Sequence, residues 1–188
     1  DVVAARSEAG CVCVTNGRFW HGCVWVLRDK PISILEGVTM RSVSTFDGPV
    51  WRILPQDAAD SPAAPARAPE GRFHHSGQIA AYASLSAEGA TVAIKRYLGD
   101  QIKRVIVPMW LKSDIVFDER GNNAASVVWQ DIRANGLPSP TWIFSDDARS
   151  AGAQAMLYSS RSRPNLSHVV LFDPSCLSYV GPTIPFEY

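Results

Sequence analysis

Residues 71–98 read GRFHHSGQIAAYASLSAEGATVAIKRYL. Ser76-Gly77 marks a turn, and the short apolar run over 79–84 suits a strand. Ser86 then offers a side-chain oxygen to the start of a helix, and Glu88 complements the positive end of its dipole. Ala90, Ala93, Ile94, Tyr97 and Leu98 recur at i, i+3, i+4, i+7 and i+8, which predicts one buried apolar stripe on a helix over 86–98. Lys95 and Arg96 face elsewhere, and Gly99 ends the helix. A strand running straight into an amphipathic helix requires a sheet with helices laid against it.

The flanking sequence extends this pattern. Residues 50–54 read as a strand. Pro55, Pro62, Pro65 and Pro69 then forbid a continuous helix, so 55–70 is an extended loop. Downstream, 104–111 is rich in β-formers, although Pro108 calls for an edge or a bulge. A second helix is expected over 124–135, stopped by Gly136 and Pro138. A short apolar run at 142–144 precedes Ser145, which is placed to cap a helix over 146–151, with Gly152 as its stop. Strands follow over 155–158 and 168–172. Strands and helices are interspersed, which points to a mixed domain, α/β or α+β, and the latter is the class carried forward.

Residues 1–48 differ from the remainder, which sets an extension of unknown role at 1–48 and a domain at 49–188. The extension holds three of the four cysteines and two of the six tryptophans. Its valine alternation around Asn16-Gly17 predicts a β-hairpin, with free cysteines as small core residues. Cys11, Cys13, His21 and Cys23 also form a compact group of soft donors, so zinc is the alternative, although the spacing matches no familiar finger. Met40 is a possible natural start.

Composition excludes several classes. The chain has 188 residues, 46% apolar and 19% charged, which is ordinary for a folded domain. Eighteen basic residues balance eighteen acidic ones. A neutral chain with dispersed cations is poorly suited to bulk capture of nucleic acid or an anionic membrane. No apolar run approaches the ~20 residues of a bilayer span, and no secretory signal pattern is visible. There is no phosphate-binding G-x-x-x-x-G-K-[ST], no G-x-G-x-x-G, no H-E-x-x-H, and no nucleophile elbow G-x-S-x-G.

What remains is an ordered set of features: Gly71-Arg72-Phe73, then Tyr82-Ala83-Ser84, then the helix from Ser86. The set closes with Met156-Leu157-Tyr158-Ser159-Ser160-Arg161, Asn165 and the strand Val169-Val170-Leu171-Phe172. Singly each is weak, since an arginine after glycine is usually a surface cation and a tyrosine in a strand is usually core. In this order, over about residues 50–172, they resemble the RES-domain family of bacterial toxin–antitoxin toxins, including the ParT-like branch.

The resemblance implies an ADP-ribosyltransferase-like split sheet around a cleft for NAD. It further implies cleavage of the nicotinamide–ribose bond, with ADP-ribose passed to a protein, to water or to phosphate. The family arginine falls on Arg72, the tyrosine on Tyr82 and the late serine on Ser160, with Ser159 beside it. The family asparagine falls on Asn165, and another recurring basic position on Arg52. His74 and Ser84 join the residues expected at NAD. Arginine suits a diphosphate because its fork pairs bidentately with phosphate oxygens. The tyrosine ring can stack while its hydroxyl anchors, and a serine can bind ribose hydroxyls or the carboxamide. The family glutamate is absent, because the matching position is Ala93. Glu88 at the helix start is the expected substitute, and simple dipole complementation is its plainer role. No metal is implied. A cognate antitoxin with a helix-turn-helix region, a reducing cytoplasm and a possible protein target of ADP-ribosylation complete the expectation. The alternatives are a glycohydrolase or phosphorylase without a protein target, and a catalytically silent antitoxin-binding module.

Overall fold

The computed structural model describes Cys11–Val12, Val24–Trp25 and residues 42–187. The chain divides into two units, residues 1–40 and 41–188. In the first, β1 (Cys11–Val12) pairs antiparallel with β2 (Val24–Trp25), Cys11 opposite Trp25. The expected turn at Asn16-Gly17, the donors Cys13, His21 and Cys23, and Met40 lie outside the described residues.

The second unit is built on a seven-stranded sheet. Its strands are β3 (Ser42–Pro55), β4 (Ala81–Ser84), β5 (Arg104–Glu119), β6 (Ala155–Ser159), β7 (Ser167–Leu171), β8 (Leu177–Tyr179) and β9 (Ile184–Phe186). The order is β3-β4-β7-β6-β5-β8, with β9 also on β5. The path closes on itself, because β3 also runs antiparallel along β5, from Ser42 opposite Asp118 to Pro55 opposite Arg104. β5 and β6 are parallel, and the other pairs of this sheet are antiparallel. β3 begins upstream of the 48/49 boundary and is much longer than the expected 50–54. Pro108 falls inside β5, between the stretches that pair with β9 (104–106) and with β8 (109–111), so a strand-breaking residue sits where that edge changes partner.

Side chains alternate across a strand, and here the alternation sorts two cores. Ala81, Ala83, Leu157, Val169 and Leu171 point to one face and join Val50, Val105, Val107, Met109 and Leu111. Met156, Tyr158 and Val170 point to the other and pack with Phe73, Phe117 and Ala148. The candidate site lies on this second face.

The helices are shorter than the periodicity suggested. Helix α1 (Ala87–Ile94) starts as expected, with Ser86 Oγ accepting from Gly89 N–H at 3.0 Å. It tightens into a 3₁₀ segment at Lys95–Asp100 instead of running to Gly99. Thr91, Val92 and Ile94 are β-branched and support a long α-helix poorly. The expected buried stripe is corrected as well. Ala90 is buried, but Ala93 is exposed and Tyr97 is half-exposed. The second expected helix is a 3₁₀ turn at Asn123–Ser126 followed by α2 (Trp129–Ala134). Helix α3 (Trp142–Ser150) begins before Ser145, which is buried inside it and donates to the Trp142 carbonyl, so Ser145 caps nothing. Gly152, at φ 79°, does end that segment. Among the described residues no helix is long and apolar enough to cross a membrane.

Candidate active-site cleft

A cleft of about 630 Å³ opens between the second face of the sheet, α1 and the 66–74 loop. Strand register builds its floor. Ser84 on β4 lies opposite His168 on β7, and His168 lies opposite Tyr158 on β6. Tyr82 and Ser160 fall two residues along from Ser84 and Tyr158, so the period of two brings them to the same side. The apolar side chains of α1 form a wall: Ala90, Val92, Ala93, Ile94 and, beyond the helix, Tyr97 line the cleft. The stripe read from the sequence therefore exists, but it faces a cavity more than a core.

Gly71-Arg72-Phe73-His74 forms the rim, a tight turn closed by Gly71 N–H donating to the His74 carbonyl at 2.9 Å. A Cβ on Gly71 would run into the His74 ring and reach the Tyr82 hydroxyl at 3.0 Å, which explains a glycine before the arginine. His74 is buried. Its Nε2 donates to the Ala68 carbonyl at 2.9 Å, which leaves Nδ1 to accept the Tyr82 hydroxyl at 2.8 Å. The same hydroxyl accepts from Phe73 N–H at 3.0 Å. Tyr82 thus spends its hydroxyl on the loop, and burial raises its pKa. The expectation that this hydroxyl anchors a ligand is corrected, because its proton is already given to His74 and it already accepts from Phe73. Trp142 Nε1 donates to the Gly71 carbonyl at 2.9 Å, and Thr141 Oγ1 to that of Arg72, so α3 pins the turn from outside.

Two arginines at the cleft show opposite economies. Arg52, 4% exposed, donates from Nε to the Tyr82 carbonyl at 3.1 Å and from one terminal nitrogen to the carbonyls of Pro62 and Ala64. It fastens the proline-rich loop to the sheet, and burial pulls its pKa down to about 10. Arg72 has no carboxylate partner among the described residues. Its guanidinium lies 5.9 Å from the Phe73 and Tyr158 ring centroids, with one long contact of 3.4 Å to the Ala125 carbonyl. Burial lowers its pKa. Arg161, also lining the cleft, likewise has no carboxylate partner among the described residues. Arg96 pairs with Asp131 at 3.2 Å. Glu70 is the one carboxylate in the lining among the described residues, and Arg133 holds it at 2.8 Å. A partly desolvated cation lacking an acid favours an anion from solution.

Ser160 is buried at the cleft, and its hydroxyl has no protein partner among the described residues. Ser159 is committed to the fold, its hydroxyl accepting from Gly121 N–H at 3.1 Å. Ser84 Oγ lies 2.8 Å from His168 Nδ1. Burial, reinforced by Arg72, pushes the His168 pKa down to about 4, and burial pushes that of Tyr158 up to about 12.

The cleft therefore gathers Arg52, Arg72, His74, Tyr82, Ser84 and Ser160 from four separate stretches of sequence. It does not gather Glu88 or Asn165. Glu88 is exposed and ion-paired to Arg163 at 2.5 Å, away from the lining, so it is no substitute for a cleft glutamate. Ala93, by contrast, does line the cleft, and its position holds no acid. Asn165 sits exposed in the β6–β7 turn. His75 faces α3, stacked on Trp142 at 4.4 Å and paired with Asp146 at 3.0 Å. The sequence reading missed His168. Its only signal was a polar residue opening an apolar strand, and the opposing Ser84 became visible only through register.

The RES-domain family model matches residues 49–188. The chain belongs to the RES-domain family. None of the curated proteins matches it. Among solved structures it is similar to one in the crystal structure of the M. tuberculosis MbcT–MbcA toxin–antitoxin complex. The TM-score is 0.53 at 15% identity, over 77% of this chain and 84% of that one. At that identity the likeness concerns the fold, and it fits a RES domain occupying the second unit.

Proposed function

We propose that this RES domain is the toxin of a toxin–antitoxin pair, acts in the cytoplasm, and consumes NAD by cleaving the nicotinamide–ribose bond and transferring ADP-ribose to a protein. The observation that carries the reading is an Arg72 guanidinium with no carboxylate partner among the described residues, in one cleft with a Ser160 hydroxyl that has no protein partner among them. Arg72, with Arg161 beside it, takes the diphosphate. The Tyr82 and Tyr158 rings and the α1 wall give flat apolar surface for the nicotinamide or ribose. Ser160 hydrogen-bonds a ribose hydroxyl or the carboxamide. The leaving nicotinamide departs neutral from a pyridinium, so the protein's task is to hold both ends and tolerate an oxocarbenium-like ribose. An ADP-ribosyltransferase-like division of the sheet around this cleft belongs to the same reading. So does an antitoxin with a helix-turn-helix region that covers the cleft mouth, a partner class supported by the toxin–antitoxin complex among the similar structures.

One observation favours a second reading. Among the described residues no carboxylate of the lining is free, and Ala93 stands where the family resemblance calls for glutamate. A cleft without that acid suits a silent antitoxin-binding module. Mass spectrometry of NAD incubated with purified chain separates the readings. Nicotinamide with a mass increment on a protein acceptor supports transfer. Free ADP-ribose, or its phosphate adduct in phosphate buffer, replaces transfer with hydrolysis or phosphorolysis. Undiminished NAD leaves the binding module.

A further inference from the structure

Among the described residues the cleft is lined by one carboxylate and two imidazoles, and two of these three groups are already occupied. Glu70 is held by Arg133 at 2.8 Å. His74 uses both ring nitrogens, one on Tyr82 and one on Ala68. His168 uses Nδ1 on Ser84 at 2.8 Å, and its Nε2 has no protein partner among the described residues. The ring is 4% exposed and lines the cleft. It is held in place by cross-strand neighbours: Ser84 from β4 on one side and the Tyr158 ring, at 5.3 Å, from β6 on the other.

We propose that His168 is the base of this cleft, its Nε2 taking the proton from the nucleophile that attacks the ribose, with Ser84 as the positioning residue that fixes the ring. The inference rests on the NAD-cleaving reading above. The nucleophile's oxygen bonds to the anomeric carbon as the carbon–nitrogen bond to nicotinamide breaks. The bonding pair leaves with the nicotinamide nitrogen, which becomes neutral. The nucleophile's proton passes to Nε2 and then to solvent. Nδ1–H donating to Ser84 Oγ is the tautomer that keeps the Nε2 lone pair free. Among the described residues the groups set against the ring are Arg72, Ser84 and Tyr158. Arg72 is the charged one, and it opposes a charged imidazole. The base is therefore unprotonated at neutral pH and weak. A weak base suffices, because a nucleophile bonding to an oxocarbenium-like carbon becomes strongly acidic as the bond forms.

The test uses the full chain with NAD, measuring binding by calorimetry and turnover by nicotinamide release. His168→Gln preserves a polar partner for Ser84. The expected result is a turnover loss of about 10²-fold with NAD affinity within about 3-fold of the parent. The parent is expected to lose turnover on the acid side near the His168 pKa, and His168→Gln to lose that limb. Ser84→Ala is expected to lower turnover about 10-fold and shift the limb, and it serves as second probe should the Gln variant fail to fold. A parent that cleaves NAD while both variants match it within 3-fold overturns the base assignment alone. A parent that leaves NAD intact overturns the NAD-cleaving reading, and this inference with it.

Discussion

The two faces of strands β4, β7 and β6 are built from the same short segments and behave oppositely. One presents Ala81, Ala83, Val169, Leu171 and Leu157, all buried and apolar. The other packs Met156 and Val170 into the second core but also presents Tyr82, Ser84, His168, Tyr158 and, just past β6, Ser160 to a cleft, beside an arginine with no carboxylate partner among the described residues. The first face gains stability from area removed from water. The second gives part of it up, keeping Arg72 partly desolvated with no carboxylate partner among the described residues and His168 neutral in a buried setting. Residues one position apart along a strand thus serve different ends, and substitutions should divide the same way.

The largest expected effect is on the apolar face. Leu171 is fully buried, so Leu171→Ala should cost roughly 2–5 kcal/mol in denaturant unfolding while the folded fraction keeps its NAD affinity. A parallel loss of affinity would show that the faces are coupled.

Next is the pH response of the polar face. The folded pKa of His168 lies near 4, below the ordinary value of 6.5. The unfolded chain therefore binds the proton more readily between those values. The associated stability is complete above about pH 6.5 and is lost as pH falls toward 4, by about 3 kcal/mol at most. Urea titrations across that window should show the decline, and His168→Gln should flatten it.

Arg72→Ala comes third. One charge-assisted phosphate clamp is worth about 1.5–3 kcal/mol, so NAD affinity should drop roughly 10- to 100-fold, with growth inhibition abolished. The melting temperature should stay level or rise, since the variant removes a partly desolvated cation with no carboxylate partner among the described residues. A matching fall in melting temperature would place Arg72 with Arg52, as a residue that holds the fold.

The smallest effect is assigned to Glu88→Gln. Its pair with Arg163 is exposed at both ends, so neither stability, within about 0.5 kcal/mol, nor NAD turnover should change. A large turnover loss would restore Glu88 to the chemistry.

Local chemistry made several features legible in the sequence. The α+β class, the Ser86 cap, the proline-rich loop, the Gly152 stop and the strands at 155–158 and 168–172 all depend on neighbours within a few residues. The grouping of Arg72, Tyr82 and Ser160 followed from a family resemblance, and the cleft holds all three. Tertiary structure decided the rest. Register placed His168 between Ser84 and Tyr158, and register is a property of paired strands far apart in the chain. Hydrogen-bond competition committed the Tyr82 hydroxyl to His74 and Phe73. The direction of α1 set its apolar stripe against a cavity, and the same placement carried Glu88 to the surface and Ala93 to the lining. Periodicity shows that a helix has an apolar side. What that side meets depends on where the sheet and its loops stand.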